Sequence, residues 1–337
     1  MDDKEKRPTS GFVAGFGGEC GFSGAQQDSG FSNISEVYVS KSGFSRLLSA
    51  VKYGKRYMLK CLKPDFAFTP VYRQALMKEF EIGLQLDHPN ICRTISMEPV
   101  EELGECIVME YVDGENLETA VTSGTFTEEK ARKIAAQLLD AMEYMHAKQT
   151  VHRDIKPSNI MVENGNNVRL MDLGISRVNG GNKFSQYGFI GTPQYSSPEQ
   201  IKRDESSGAE SINGRSDIYE LGITLYELIT GSNPMDKGND TETLAAQISE
   251  KLPPSDKIPP QLMRVIWKAT EKDQMKRFQT VKEFKQAITM ALTYQPTTME
   301  KTMEWAKRNK ALAAIMVFLA ICAMAMVIVL PFIINQQ

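Results

Sequence analysis

The sequence predicts an α+β chain of two lobes, a small β-rich lobe with one main helix and a larger helical lobe, followed by one C-terminal transmembrane helix. Three observations carry this. From Ser35 to about Val112 short β-type runs surround a single helical stretch; beyond Gly114 apolar residues recur at helical spacing; and residues 311–334 contain no charged side chain. A hydrophobic content of 42% in 337 residues is ample for a packed core. A formal net charge of −3, with no concentrated basic patch in the folded part, argues against nucleic acid as a partner.

Residues 1–34 are rich in Gly, Ser and charge, with Phe12, Phe16, Phe22 and Phe31 scattered among them, and are expected to form a disordered arm. The charged start, Met1 to Arg7, leads into glycines rather than an apolar run, so no secretory signal is read there. Residues 35–114 form the small lobe and its connection. Within it Glu36-Val37-Tyr38-Val39 and Lys55 to Lys60 read as strands, and Val71 to Leu86 as a helix closed by Asp87-His88-Pro89-Asn90. Residues 115–292 form the large lobe. Thr127 is the expected N-cap of a long helix with Ile134, Leu138, Met142 and Met145 on one face. A second helix, Asp217 to Thr230, is apolar nearly all round and ends at Gly231, which marks it as the buried centre of the lobe.

After a linker over 293–310, residues 311–334 are long enough, at ~1.5 Å per residue, to cross a ~30 Å hydrocarbon layer. Lys301, Lys307, Arg308 and Lys310 precede this span and only the short tail 335–337 follows it. The positive-inside rule then leaves the lobes in the cytoplasm, on a single-pass, tail-anchored protein. Cys20, Cys61, Cys92, Cys106 and Cys322 stand singly, without metal-ligand or paired spacing, and suit a reducing compartment. His88, His146 and His152 lie in separate segments, so structural roles are expected for them and no zinc cluster.

The most specific signal is Val151-His152-Arg153-Asp154-Ile155-Lys156-Pro157-Ser158-Asn159, followed thirteen residues later by Asp172-Leu173-Gly174. Ile160-Met161-Val162 and Val168 to Met171, joined by Glu163-Asn164-Gly165-Asn166-Asn167, read as a hairpin, which returns its ends to one place. Asn159 and Asp172 then lie side by side as hard oxygen ligands suited to Mg²⁺, and Asp154 can accept a proton from an incoming hydroxyl. Here the chain resembles the eukaryotic-type protein kinase family, with its H-R-D-x-K-x-x-N loop and D-L-G metal motif.

The resemblance covers about residues 35–292 and implies the two-lobed protein-kinase fold. It implies that Lys60 holds the α- and β-phosphates of ATP and that Glu79 holds Lys60, with Glu81 the rival for that place; the distance to His88 favours Glu79. Cys106 to Gly114 looks like the hinge, with backbone groups of Glu110 and Val112 for the adenine edge and Met109 lining the pocket. Gly191 to Glu199 resembles the segment that ends an activation loop, with Ser197 in the place of the usual alanine and Glu199 expected to pair with Arg277. Asp217 is expected to hold the catalytic loop's backbone. Lys156, which would steady the transferred phosphate, and Thr192 match the Ser/Thr-directed branch. Arg153 suggests a positive pocket for a phosphorylated loop residue, with Ser185 and Tyr187 as candidates for it and Thr192 as a further candidate for autophosphorylation.

The phosphate-covering loop departs from the family. Ser40, Ser42 and Ser45 stand at its three glycine positions, in the run Ser40-Lys41-Ser42-Gly43-Phe44-Ser45-Arg46-Leu47, and Met58 stands where a small alanine is usual over the adenine. Glycine there tolerates φ > 0 and close approach of backbone N–H groups, so both changes bear on ATP binding. Ser216-Asp217-Ile218-Tyr219, Arg277-Phe278-Gln279-Thr280 and the C-terminal span look most like bacterial membrane-anchored Ser/Thr kinases, which implies the bacterial inner (plasma) membrane. No sensor is expected after the span, and a signal is expected through the membrane helix, the N-terminal arm or a partner. The reading is a protein Ser/Thr kinase using ATP with Mg²⁺, or Mn²⁺ in its place. Its expected partners are proteins bearing Ser or Thr, probed first on itself, the lipid bilayer, and a second copy in a homodimer. A membrane-tethered pseudokinase scaffold is the alternative; a small-molecule phosphotransferase should lack the Gly191 to Glu199 segment.

Overall fold

The computed structural model describes residues 30–39, 44–122, 128–163, 166–173, 184–185, 188–189, 192–202, 212–294 and 298–334. The small lobe contains β1 (Ser32–Val39), β2 (Ser45–Lys52), β3 (Lys55–Leu62), α1 (Pro70–Gly83), β4 (Thr94–Val100) and β5 (Gly104–Glu110). Its five strands form one antiparallel sheet in the order β1-β2-β3-β5-β4. Tyr53 and Gly54, both left-handed at φ 51° and 74°, make the two-residue connection whose twist matches that of the β2–β3 hairpin. Along β3 the period of two sorts side chains between faces: Met58 and Leu62 join the cluster under α1, Leu59 and Cys61 the cluster on the opposite face. Lys60 is therefore delivered to the α1 side.

Two differences from the sequence reading concern this lobe. β1 begins at Ser32, inside the segment expected to be unstructured, because pairing with β2 and the seating of Phe31 against Tyr57 and Lys52 supply what the side-chain pattern does not. The α1 helix ends at Gly83, before Leu86, because the chain tightens into an i→i+3 turn, Leu86 N–H to Gly83 O at 3.1 Å. That turn frees Asp87 to Asn90 to dock on the large lobe.

The large lobe contains β6 (Gly114–Asn116), α2 (Leu117–Thr122), α3 (Glu128–Ala147), β7 (Ile160–Glu163), β8 (Val168–Leu170), the two-residue strands β9 (Phe184–Ser185) and β10 (Gly188–Phe189), α4 (Pro198–Lys202), α5 (Gly214–Thr230), α6 (Asp240–Ser249), α7 (Pro260–Ala269) and α8 (Val281–Thr293). Ile134, Leu138, Met142, Ile218, Leu221 and Phe284 share its core. The expected hairpin is β7–β8, with β6 on its outer side. The buried helix starts at Gly214, earlier than Asp217, because Asn213 caps it by accepting from the Arg215 N–H; it stops at Gly231, left-handed at φ 83°. Thr127 lies outside the described residues. The lobes are stitched by backbone: Leu170 donates to Asn90 O at 2.8 Å and Cys92 donates to Leu170 O at 2.9 Å.

Beyond the lobes lie α9 (Thr298–Arg308) and α10 (Lys310–Ile334). Among the described residues no helix is long and apolar enough to cross a membrane. The side chains of α10 are described only as far as Met324, while its helical backbone runs to Ile334. Cys61 and Cys106 correct the view of singly scattered thiols: the register makes them direct cross-strand partners, both free and buried.

Glu199 pairs with Arg277 as expected, through bonds of 2.6 and 2.8 Å, and Ser216 adds a third at 2.7 Å. Burial alone would raise the Glu199 pKa; the Arg277 guanidinium outweighs it and holds the carboxyl below the usual range. The pair's contribution is complete above the unfolded carboxyl pKa of about 4.3 and is lost as pH falls through the lower folded value. Glu199→Ala, which strands a buried guanidinium, is expected to cost about 3–5 kcal/mol at pH 7. In thermal unfolding of the full chain the gap from wild type should narrow on acidification below about pH 4.3; a gap constant with pH would contradict the assignment.

Candidate active site

Lys60 is 2% exposed, and its Nζ donates to Glu79 Oε1 at 2.5 Å and to Asp172 Oδ1. Glu79 is buried on the inner face of α1 and Glu81 is exposed, so the helix phase decides between the rivals. One ammonium thus joins a small-lobe helix to a carboxylate of the large lobe. Asp172 takes a left-handed backbone, φ 55°, just past β8, and Arg153 another, φ 70°. Non-glycine residues hold such geometry at about 1–3 kcal/mol each and do so where surrounding bonds over-determine it.

For Arg153 those bonds come from α5. Asp217 accepts from His152 N–H at 2.9 Å and Arg153 N–H at 2.8 Å, Glu220 accepts from Ile155 N–H at 2.7 Å, and Thr224 Oγ1 donates to Ile155 O at 3.3 Å. The three side chains stand at i, i+3 and i+7, on one helix face. Burial alone would raise the Asp217 pKa; His146, at 2.7 Å, with His152 and the Arg153 amide, outweighs it and keeps the carboxyl below the usual aspartate range. Asp217 was legible in the sequence, but Glu220, Thr224 and Gln200, which donates to Arg153 O at 3.0 Å, were missed. For Glu220 and Thr224 the signal is a polar stripe on a helix that is otherwise apolar, while Gln200 lies on α4 and carries no such signal.

Asp154 sits at the centre of this held loop. Its Oδ2 accepts from Asn159 Nδ2 at 2.9 Å and faces Lys156 Nζ at 3.0 Å, while its Oδ1 accepts from Thr192 Oγ1 at 3.2 Å. Lys156 Nζ also donates to Thr192 Oγ1 at 2.6 Å. Both Asn159 amide hydrogens go to Asp154, one to its carbonyl at 2.9 Å, which leaves Asn159 Oδ1 as an acceptor. The hairpin closes beside it, with Met171 N–H on Asn159 O at 2.8 Å. Asn159 Oδ1 and the Asp172 carboxylate are hard oxygen donors, a set that fits Mg²⁺ when completed by phosphate oxygens and water. No cluster of three or more His, Cys, Asp or Glu suited to a metal occurs among the described residues. The histidines act structurally: His152 bonds Met171 O at 3.0 Å, and His88 Nδ1 accepts from Asn90 N–H at 3.1 Å.

Between the lobes Met58, Met109 and Val112, with Leu47, Met161 and Met171, belong to one apolar cluster that walls the cleft. Met58 and Met109 are cross-strand partners, as are Leu47 and Lys60. The Glu110 N–H is spent on Arg93 O at 3.0 Å, and the Glu110 carbonyl accepts from Cys92 Sγ at 3.7 Å, which leaves it one further lone pair. Ser45 opens β2. Phe44 belongs to the same apolar cluster. It is buried against Tyr72 of α1, with ring centroids 4.9 Å apart, which makes it a packing residue. Ser40, Ser42 and Gly43 lie outside the described residues, as do Tyr187 and Gly191.

The sequence pattern of the Protein kinase domain family matches residues 39–290. The chain is 32% identical over 296 residues to the serine/threonine-protein kinase PknB of Mycolicibacterium smegmatis, covering 85% of this chain and 45% of that protein. It is 33% identical over 263 residues to the probable serine/threonine-protein kinase SCO3848 of Streptomyces coelicolor, covering 73% of this chain and 37% of that protein. The chain therefore spans less than half the length of these curated relatives. The crystal structure of Rad53 1–466 in complex with AMP-PNP shares the fold, with a TM-score of 0.59 at 24% identity over 77% of this chain and 65% of that one.

Ser197 N–H donates to Gln200 Oε1 at 2.6 Å, but its fully buried hydroxyl has no hydrogen-bond partner among the described residues. A buried hydroxyl without a partner costs roughly 1–3 kcal/mol. Ser197→Ala is therefore expected to stabilise the chain by about that amount, read as an upward shift in the denaturation midpoint. A loss of stability would show that the hydroxyl is engaged.

Proposed function

The chain belongs to the protein kinase domain family, and on that premise we propose that it transfers the γ-phosphoryl group of Mg·ATP to serine and threonine hydroxyls of proteins, itself among them. The observation that carries this is the joint presence of Lys60, Glu79, Asp154, Asn159 and Asp172 in one bonded cleft. The same set favours an enzyme over a scaffold that has lost its chemistry.

In this reading the Asp154 carboxylate accepts the proton of the incoming hydroxyl as its oxygen forms a bond to the γ-phosphorus. The bond from that phosphorus to the β–γ bridging oxygen breaks, and ADP leaves with the electron pair. Lys156, 3.0 Å from Asp154, is placed to steady the transferred phosphoryl, and Thr192 aligns both. Lys60 holds the α- and β-phosphates. Asn159 and Asp172 would hold the divalent cation, which neutralises charge on the phosphates when bound. Met58, Met109, Val112 and the Glu110 carbonyl receive the adenine. The serines at the glycine positions offer hydroxyl donors in place of close backbone approach.

The domain assignment follows: an arm over 1–34 apart from the start of β1, a small lobe and hinge to 114, a large lobe to 292, and a juxtamembrane linker to 310. Residues 311–334 serve as a single-pass anchor in a bacterial inner (plasma) membrane, with the lobes cytoplasmic. Its support is a helical backbone over Lys310–Ile334 and 24 residues without a charge. Each Leu, Ile, Val or Phe favours insertion by about 0.3–0.6 kcal/mol. Confinement to the bilayer raises the local concentration of copies and so favours a homodimer.

One assay tests both parts. Membranes from cells expressing the full chain are washed with high salt and supplied with γ-labelled ATP and Mg²⁺ or Mn²⁺. Label is expected on Ser or Thr of the pelleted chain and of an added protein, falling at least about 10²-fold in Asp154→Asn. No label with either metal would refute the kinase; release into the supernatant would refute the anchor.

A further inference from the structure

Away from the catalytic cleft, a cavity of 1020 Å³ opens where the large lobe meets the end of α9. The loop before α7 contributes Asp256 and Lys257, α7 contributes Arg264 and Trp267, and the last two residues of α9 are Lys307 and Arg308. Four cations face one carboxylate here, in a chain whose net charge is −3. Lys257 Nζ donates to Thr230 O at 2.7 Å and Arg264 Nη1 donates to Gln261 Oε1 at 3.1 Å, both neutral acceptors. Among the described residues neither Lys257 nor Arg264 makes an ion pair, so their charges stay uncompensated and further N–H donors remain.

Position supplies the second argument. Arg308 closes α9, and the charge-free stretch begins at Ala311, about 4–5 Å farther along a helical rise. With α10 in a bilayer, that distance puts the cavity at the depth of the headgroup phosphates. Arg264 and Lys257 lie far earlier in the chain than Lys307 and Arg308, so the fold, and not a basic run in the linker, gathers the charges.

We propose that this cavity binds the phosphate of an anionic phospholipid and so holds the large lobe against the membrane surface, an inference that rests on the reading of α10 as an anchor. Arginine suits the role because its planar fork of donors matches phosphate oxygens. Each basic side chain near an anionic surface strengthens binding by roughly fivefold.

The chain has two tryptophans, Trp267 and Trp305, so Trp305→Phe leaves Trp267 as the reporter at the cavity. The full chain carrying that change is assembled into nanodiscs of phosphatidylcholine alone or with added phosphatidylglycerol. Trp267 emission is expected to shift as phosphatidylglycerol rises. Lys257→Gln with Arg264→Gln, weakened about thirtyfold at roughly fivefold per cation, should show no shift over the same range. Lys257→Arg with Arg264→Lys should keep it, which separates lost charge from damaged folding. Equal emission in both discs, a shift that survives the glutamine pair, or the same shift from inorganic phosphate at equal phosphate concentration would each overturn the proposal. Failure to enter discs of either composition would remove the anchor itself, and the proposal with it.

Discussion

One buried ammonium organises the structure. Lys60 is 2% exposed and is held by carboxylates from both lobes, Glu79 of α1 and Asp172 beyond β8. An unpaired ammonium so far from water would cost several kcal/mol, so the two carboxylates must come to it. The consequences spread outward. Glu79 fixes the rotation of α1 against the sheet, and Asp172 is held in a left-handed backbone beside Asn159. The pairing brings Asp172 of the large lobe to Lys60 of the small one, with Met171 beside it bonded to the Asn159 carbonyl. Stability alone does not account for such an arrangement, since apolar residues of similar volume usually serve as well.

The catalytic loop depends on a second device of the same kind. Asp217, Glu220 and Thr224 hold the backbone of His152, Arg153 and Ile155 from one face of α5. That helix is itself fixed by the core and by Gly222, whose missing side chain admits Thr270; a Cβ there would come within 2.7 Å of Thr270 Cγ2. Asp154 is positioned by this frame together with its own bonds to Asn159 and Thr192. Preorganisation of this sort would lower the reorganisation needed as charge shifts in the proposed phosphoryl transfer.

Much of this was legible in the sequence because it rests on short-range pattern. The strand–turn–strand pattern between Asn159 and Asp172 implied the hairpin, and the hairpin implied that these two lie side by side. The apolar α5 was equally plain, whereas the pairing of Glu199 with Arg277, 78 residues apart, was implied only by the family resemblance. What stayed hidden depends on placement in three dimensions. Helical spacing admitted both Glu79 and Glu81 until burial separated them. The register that sets Cys61 opposite Cys106 joins strands far apart in the chain. Nor did the sequence pattern show that Phe44 packs against Tyr72 of α1. β1 reached back to Ser32 because backbone pairing needs no apolar pattern.

In the proposed reading Lys60, Asn159 and Asp172 act as one phosphate- and metal-holding unit of the cleft. A crystal structure of the full chain with Mg²⁺ and a non-hydrolysable ATP analogue tests it most directly. The cation is expected on Asn159 Oδ1 and the Asp172 carboxylate, with Lys60 still on Glu79 and now on the α- and β-phosphates. Nucleotide bound elsewhere, or bound in the cleft without a metal contact to Asn159 and Asp172, would contradict it.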